Sequence, residues 1–505
     1  MTPGFRNPFK LLDFAFVMQE KISQQHGPVI DLALDTISKG KQALVFVNSK
    51  PSAEKQAEEI SKRCNGKLDE LAEKVLNVLS TPTKQCKRLA GCIKKGIAFH
   101  HAGLDQKQKE LIEDGFRAGE IKIICCTPTL AAGMDLPAFR TILTSLKRYT
   151  NHGMDYIPVL EYEQMAGRAG RPKYDSYGEA ICIAGTDAQK EELIEKYLNG
   201  EVEHIYSKLA AEPVLRTYVL SLISSGLVRS KEDLMKFFSR TFFAFQFKDL
   251  KKIEELLVRV LGMLKDWGFV KGSSNEDFVS ADSMNEKYIV TLLGKRVVEL
   301  YLDPLTANKL VEGLKKKCEK NEFSYLQLIS HTLEMRPLLR IKKSEYEEVQ
   351  EKIALIEENL LEDGFFDEFE DFENSIKTAW FFEEWINESS EEQLLEKFGV
   401  RPGEIKYKLN LSDWLLFSCI ELSKLSLLNE NVSNLTKLRV RLKYGIKEEL
   451  MPLVRLKGIG KTRARKLYSN GIKDVRGLKK IGLGELKLLI GEKTAENIKK
   501  QLEMG

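Results

Sequence analysis

No stretch of this 505-residue sequence stays apolar for long. Segments such as Ala43 to Val47 and Ile121 to Cys126 fall far short of the ~20 residues that a membrane-spanning helix needs. The opening residues, MTPGFRNPFK, hold no apolar core of the signal-peptide kind. A cytoplasmic protein with no membrane partner is therefore expected. None of the eight cysteines lies in a C-x-x-C pair, and the six histidines form no H-x3-5-H set, so no metal site is expected. The cysteines should be reduced core thiols that pack as small hydrophobes. Two motifs of ATP-driven motors are also missing. There is no G-x4-G-K-[ST] loop to cradle phosphates, and no Asp-Glu-x-His or Asp-Glu-Ala-Asp to hold Mg²⁺. Gly460-Lys461-Thr462 imitates the end of such a loop, but Arg455 stands where its first glycine belongs. Asp367-Glu368 sits in an acidic helical tract and does not follow a buried strand.

What charge there is lies unevenly. From Glu345 to Glu396 there are 19 Asp/Glu and 2 Lys/Arg, a balance of −17 in a chain whose total is +4. The last 60 residues, Ile446 to Gly505, carry 15 Lys/Arg against 7 Asp/Glu. Such segregation fits a polyanionic partner that meets some surfaces and is repelled from others, and equally fits solvated helix faces.

At this length the chain should divide into several domains. The first part alternates in α/β fashion. Ala43-Leu-Val-Phe-Val47 reads as a strand buried on both faces, and Gly96 to His100, Ile121 to Cys125, Thr141 to Thr144 and Glu179 to Ile183 are further strand candidates. This predicts a doubly wound parallel sheet with ligands at the carboxyl ends of its strands. After about Glu191 the pattern turns helical, with a strand-then-helix unit from Tyr288 to Tyr301 compatible with a winged helix. From Asp303 to about Leu442 it is long and periodic, interrupted at Gly364, Gly399 and Pro402-Gly403, and short basic helices with glycine turns close the chain.

The richest segment is Gln164-Met-Ala-Gly-Arg-Ala-Gly-Arg-Pro172. Arg168 and Arg171, each next to a glycine that permits close backbone approach, should project their guanidinium forks from one side of a helix start, suited to the γ-phosphate of a nucleotide as arginine fingers. Upstream, Cys126-Thr-Pro-Thr-Leu-Ala-Ala-Gly-Met-Asp-Leu-Pro137 follows a buried strand. Thr127 and Thr129 can hydrogen-bond a phosphate, Gly133 allows backbone approach, and Asp135 can accept from a ribose hydroxyl. Near the end, Gly458-Ile-Gly460 with Ala464 and Leu467 fits a helix-hairpin-helix, whose glycine turn offers amides to a DNA phosphate while Lys461, Arg463, Arg465 and Lys466 add charge.

Together, Val45 to Ser49, Ala98 to Leu104, Thr127 to Pro137 and Gln164 to Pro172 resemble the motor motifs of the second RecA-like domain of superfamily-2 helicases. The family most resembled is the archaeal Holliday-junction-migration (Hjm) helicases, along essentially the whole chain. The resemblance implies a RecA-like domain over 1–190, a winged helix over 191–303, a helical ratchet domain over 304–443 and a helix-hairpin-helix domain over 444–505. It implies an ATP-dependent 3′-to-5′ DNA helicase acting on single-stranded and forked DNA at stalled forks, in DNA repair. It gives Gln164, Arg168 and Arg171 catalytic roles, Gly133 and Asp135 contacts to the nucleotide, and Thr127 and Thr129 contacts to DNA. A strand-separating hairpin is implied at Leu146 to Ile157, with Asn151-His152-Gly153 as a tight tip and Tyr149 and Tyr156 flanking it. Trp414, in Leu411 to Phe417, corresponds to a tryptophan that stacks on a base, although an aromatic in a helix is more often core. The family's arginine seven residues earlier is replaced here by Tyr407, between Lys406 and Lys408. ATP and Mg²⁺ would be held mainly by a first RecA-like domain on a separate subunit. Natural split subunit, fragment and inactive derivative all remain open, as do a non-catalytic DNA-binding adaptor and an RNA helicase of the exosome-associated type.

Overall fold

The computed structural model describes residues 25–79, 81–131, 136–150, 153–171, 175–273, 287–361 and 369–503. They form two compact units, Met1–Glu203 and His204–Gly505.

The first unit is built on five parallel strands: β1 (Ala43–Phe46), β2 (Ile97–His100), β3 (Ile123–Cys126), β4 (Arg140–Leu143) and a last one at Glu179–Cys182. A hairpin of two antiparallel strands, β5 (Lys147–Thr150) and β6 (Gly153–Tyr156), follows β4, so the Glu179 strand is β7. The sheet order is β2-β3-β1-β4-β7. Every residue of β1 to β4 is buried, as expected when crossover helices cover both faces. All five strands expected from the apolar runs are present. The crossovers start where short polar side chains can cap them: Ser49 accepts from the Ser52 amide ahead of helix Lys50–Ser61, and Asp105 forms a capping box with Gln108 ahead of Gln106–Arg117.

One buried cation was not anticipated. Arg140, 1% exposed at the start of β4, donates to Glu179 Oε2 (2.6 Å), Leu32 O (2.9 Å), Asp35 Oδ2 (2.8 Å) and Thr36 Oγ1 (2.8 Å). It thereby joins helix Pro28–Ser38 to β4 and β7, and its buried charge is tolerable because it is fully partnered.

In the second unit, helices Glu212–Ser224, Lys231–Phe238 and Leu250–Asp266 lead into an antiparallel wing, β8 (Val270–Ser273) and β9 (Lys287–Val290), and then helix Leu292–Glu299. Helices Pro304–Lys315, Glu322–Ser330, Tyr346–Ile356, Phe369–Ile386, Glu391–Phe398, Pro402–Leu425 and Glu430–Tyr444 come next. Gly399, at φ 70°, closes Glu391–Phe398 in the left-handed region, and Pro402 opens the following helix. Gly364 lies outside the described residues. One continuous apolar core runs from Leu215 to Leu442, so the winged helix and the helical bundle pack as a single body. Arg216 ties its first helix to the bundle through both oxygens of Asp303 (2.7 and 2.9 Å). The last four helices, Lys461–Ser469, Val475–Lys480, Leu483–Ile490 and Glu492–Glu503, gather around a core of their own from Ile446 to Leu502.

Among the described residues, no helix is long and apolar enough to cross a membrane.

Candidate functional site

In the first unit the signature residues separate to the two ends of the sheet. Helix Val159–Ala166 starts beyond the hairpin, at the carboxyl end of β4, and runs back to the amino end. There the chain pairs with Ala138, two residues before β4: Ala138 N donates to Arg168 O (2.9 Å) and Gly170 N to Ala138 O (2.7 Å). Gly170 has φ +93°, and a Cβ on facing Gly178 would lie 2.2 Å from Gly170 N, so both glycines are required by close backbone approach. The arginines thus follow a helix end rather than a helix start, and they sit at the amino ends of the strands, not at the carboxyl ends where ligands were expected. The reason is the antiparallel course of the helix across the sheet.

Arg168 donates from Nε and Nη2 to Ala131 O (3.2 and 2.6 Å). Arg171 is held differently. Its Nε donates to Asp175 Oδ2 (2.8 Å) and its Nη1 to Gln42 Oε1 (2.7 Å). The Gln42 amide is itself fixed by donating to Phe116 O and Ile121 O, each at 2.7 Å, and Asp175 also accepts from Lys41 Nζ (2.6 Å). Burial pushes the Asp175 carboxyl up, but the hydrogen bonds from Arg171 and Lys41 outweigh it and hold the group below its ordinary range. Neither Gln42 nor Asp175 was anticipated. The readable signal for Asp175 was its four-residue spacing from Arg171, where its amide donates to Arg171 O (2.8 Å). Gln164 is exposed on helix Val159–Ala166. Gly133 and Asp135 lie outside the described residues.

The carboxyl end carries the other set. Thr127 and exposed Thr129 follow β3 with their hydroxyls 3.0 Å apart, and Thr127 N donates to His100 O (3.3 Å). The hairpin is closed at its base by Ile157 N donating to Leu146 O (2.9 Å), and Asn48, after β1, donates to Lys147 O (2.5 Å). His152 lies outside the described residues, and Tyr149 in β5 pairs with Met154 in β6. Tyr156, expected to flank the tip, is at the base. Its hydroxyl donates to Glu192 Oε2 (2.5 Å), and Lys147 Nζ lies 4.3 Å from its ring centroid, so it packs on its own unit. Near the tip, among the described residues, Met154 is exposed at 60%, an apolar side chain without the aromatic ring expected there. Behind this edge, burial drives the His100 imidazole down to about 3, so it is neutral beside Glu113 (Nε2 to Oε1, 3.0 Å).

In the second unit Trp414 is half-buried on helix Pro402–Leu425, and its Nε1 donates to Leu300 O (2.9 Å). Tyr407, two turns earlier, is 55% exposed. Lys408 is buried, donates to Pro337 O (2.9 Å) and is pushed down to about 8 by loss of water. Of the cations assigned to the terminal helices, Lys461 donates to Ser389 O (2.7 Å) with its ammonium 5.1 Å from the Trp385 ring centroid. Arg465 binds Glu388 and also Glu449 (2.8 Å). Both are engaged inside the unit, and Glu388 comes from the acidic tract, so part of that tract serves the terminal helices. Exposed Arg463 donates to Gly458 O (2.9 Å) and meets no carboxylate among the described residues.

Models of four families match the chain in order: Helicase conserved C-terminal domain over 28–173, Helix-turn-helix domain over 178–271, Archaeal helicase, domain 4 over 323–445, and SAM-like Helix-hairpin-helix tandem over 450–504. Among relatives, the "ATP-dependent DNA helicase Hel308" of Methanococcus vannielii is 37% identical over 88% of this chain and 63% of its own length. That of Methanocella arvoryzae is 38% identical over 96% and 66%, and that of Pyrobaculum calidifontis 34% identical over 97% and 68%. The chain therefore spans about two thirds of the length of these relatives. With a RecA-like sheet, winged helix, helical bundle and helix-hairpin-helix in this order, and similarity along nearly all of its own length, the chain belongs to the Hel308 family of archaeal superfamily-2 helicases.

Proposed function

We propose that the chain forms the carboxy-terminal portion of an ATP-dependent 3′-to-5′ DNA helicase, acting in the cytoplasm on single-stranded and forked DNA, and that it hydrolyses ATP only with a first RecA-like domain. The observation that carries this reading is the division of one rigid sheet. Arg168 and Arg171 stand at the amino ends of the strands, and Thr127, Thr129 and the hairpin stand at the carboxyl ends. A motor that couples hydrolysis to movement along a strand needs these two chemistries on one body. When bound, ATP with Mg²⁺ supplies the phosphoryl group that is transferred to water, and a P-loop and an Asp-Glu pair outside this sequence would hold both. This chain contributes positive charge aimed at the γ-phosphate, which counts because charge spreads over the phosphoryl oxygens in the transition state. Gln42 and Asp175 preorganise Arg171 for that role. Gln164 would orient the water or the nucleotide beside them, Gly133 and Asp135 would approach the nucleotide, and Thr127 and Thr129 would hold backbone phosphates. Tyr149, His152 and neighbouring Met154 would part the duplex, and Trp414 would stack on a base. On the terminal helices Arg463 is the leading phosphate contact, with Lys461 and Arg465 setting the position of its helix. The domain divisions at 190, 303 and 443 belong to the same proposal.

The test is phosphate release by the purified chain, alone and with a P-loop domain from a Hel308-family protein, with and without single-stranded DNA. DNA binding without hydrolysis is expected from the chain alone, and DNA-stimulated hydrolysis from the pair. Hydrolysis by the chain alone would overturn the half-motor reading. DNA binding with no hydrolysis in any pairing would make it an adaptor, and preference for RNA over DNA of equal length would move it to the exosome-associated type.

A further inference from the structure

Helix Leu292–Glu299 closes with Tyr301 N donating to Val298 O (3.0 Å) and Leu302 N to Val297 O (3.3 Å). The residue that turns the chain at such a closure adopts the left-handed conformation and is usually glycine, because a Cβ there crowds the backbone. Here it is Tyr301, at φ +58° and 86% exposed. Its neighbours are buried, Leu300 at 5% and Leu302 at 1%. The ring therefore gains nothing from packing that would offset the strain, and among the described residues none bonds to it or stacks on it. Glycine would serve the fold better at this position.

The conformation is imposed from both sides. Leu300 O accepts from Trp414 Nε1 (2.9 Å), and Arg296 reaches Glu421 on the same helix as Trp414 (2.8 Å). Asp303 accepts both forks of Arg216, and its amide donates to Glu334 Oε1 (3.0 Å). Strain that the surroundings over-determine marks functional positions. What is presented here is a second aromatic ring, directly after the carbonyl that fixes the indole of Trp414.

We propose that Tyr301 is a base-stacking residue, forming with Trp414 a two-ring platform for successive bases of a single strand. Flat rings held out at fixed positions are what sequence-tolerant stacking requires. The inference rests on the reading of Trp414 as a single-strand contact.

The test uses the full chain with a single-stranded oligo-dT, an abasic oligomer of equal length, and the variants Tyr301→Gly, Tyr301→Phe and Trp414→Ala, read by fluorescence anisotropy and thermal melting. Tyr301→Gly should melt higher yet bind oligo-dT about 5- to 150-fold more weakly, the ~1–3 kcal/mol of one stacked base at about 1.4 kcal/mol per tenfold. Its binding to the abasic oligomer should not change, and Tyr301→Phe should behave as the parent. Parental oligo-dT affinity in Tyr301→Gly, with Trp414→Ala weakened, would remove Tyr301 and leave Trp414 standing. Equal weakening on both oligomers would also overturn the proposal, since it would show that bases are not what Tyr301 meets. A parent chain that binds neither oligomer would sink the reading of Trp414 along with it.

Discussion

Two arginine pairs, Arg168 with Arg171 and Arg463 with Arg465, look alike in sequence and are held in the same divided way in the structure. In each, one arginine is locked by carboxylate: Arg171 by Asp175, and Arg465 by Glu388 and Glu449. Among the described residues the other touches a backbone carbonyl alone, Arg168 on Ala131 and Arg463 on Gly458. A carboxylate partner fixes the guanidinium's position and offsets part of its charge. A carbonyl partner orients it and leaves its charge uncompensated for an incoming phosphate. Each pair thus joins an anchor to a reader, in two units that share no element of fold.

The sharpest way to break this comparison is at the nucleotide end. In the chain complemented by a P-loop domain, Arg168→Ala should lower ATP turnover by on the order of 10³ and leave the melting temperature unchanged. Arg171→Ala should lose turnover and also stability, because Asp175, whose side chain is 1% exposed, would keep Lys41 alone as its side-chain partner among the described residues. The loss should fall below the ~3–5 kcal/mol of a wholly broken buried pair. Identical melting of the two variants would erase the distinction between anchor and reader.

Lys408 extends the comparison to a cation with carbonyl partners and almost no water. Burial pushes its ammonium down to about 8, so the sign of its linkage is opposite to that of a paired lysine. Below pH 8 both states carry the proton and the full desolvation penalty stands. Between about pH 8 and the unfolded value near 10.4 the folded state is deprotonated first, so stability should rise with pH, by at most about 3 kcal/mol. The measurement is melting of the parent and of Lys408→Met across this range, and parallel curves would place the amine in water.

Trp414 separates an anchor from a reader within one side chain. Trp414→Phe keeps a ring but removes the Leu300 bond, and should lose about 1 kcal/mol of stability while retaining single-strand binding. Trp414→Ala should weaken that binding by ~1–3 kcal/mol and impair unwinding more than DNA-stimulated hydrolysis. If both variants bind as the parent does, the ring is core only.

The smallest effect belongs to the terminal helices. Arg463→Ala should flatten the log–log salt dependence of duplex binding by about 0.9 without altering the melt, whereas Arg465→Ala should shift the melt and spare the slope. Slopes measured between about 50 and 200 mM salt decide it, and the reverse pattern would exchange the two roles.

The elements were legible wherever their cause is local. Each strand of the sheet falls on a short, largely apolar run, and the approach of Gly170 to Gly178 is written in the glycines themselves. The division between readers and anchors was not. Gln42 lies 129 positions from Arg171, and Glu388 lies 77 from Arg465. Hydrogen bonds and ion pairs act over a few ångströms, so only folding reveals which carboxylate arrives beside which cation. Tyr156 teaches the same point, since its place at the hairpin base follows from register and from contacts with Glu192 and Lys147.

By itself, then, the sequence determined the sheet, the order of domains and the family, because apolar periodicity and glycine spacing act through neighbouring residues. Only the tertiary structure decided that the arginine pair and the threonines occupy opposite ends of the sheet, that the winged helix and bundle share a core, and that Lys461 and Arg465 are engaged by the fold. Those outcomes depend on which distant segments meet, and on a buried charge being tolerable only where a partner has already been brought to it.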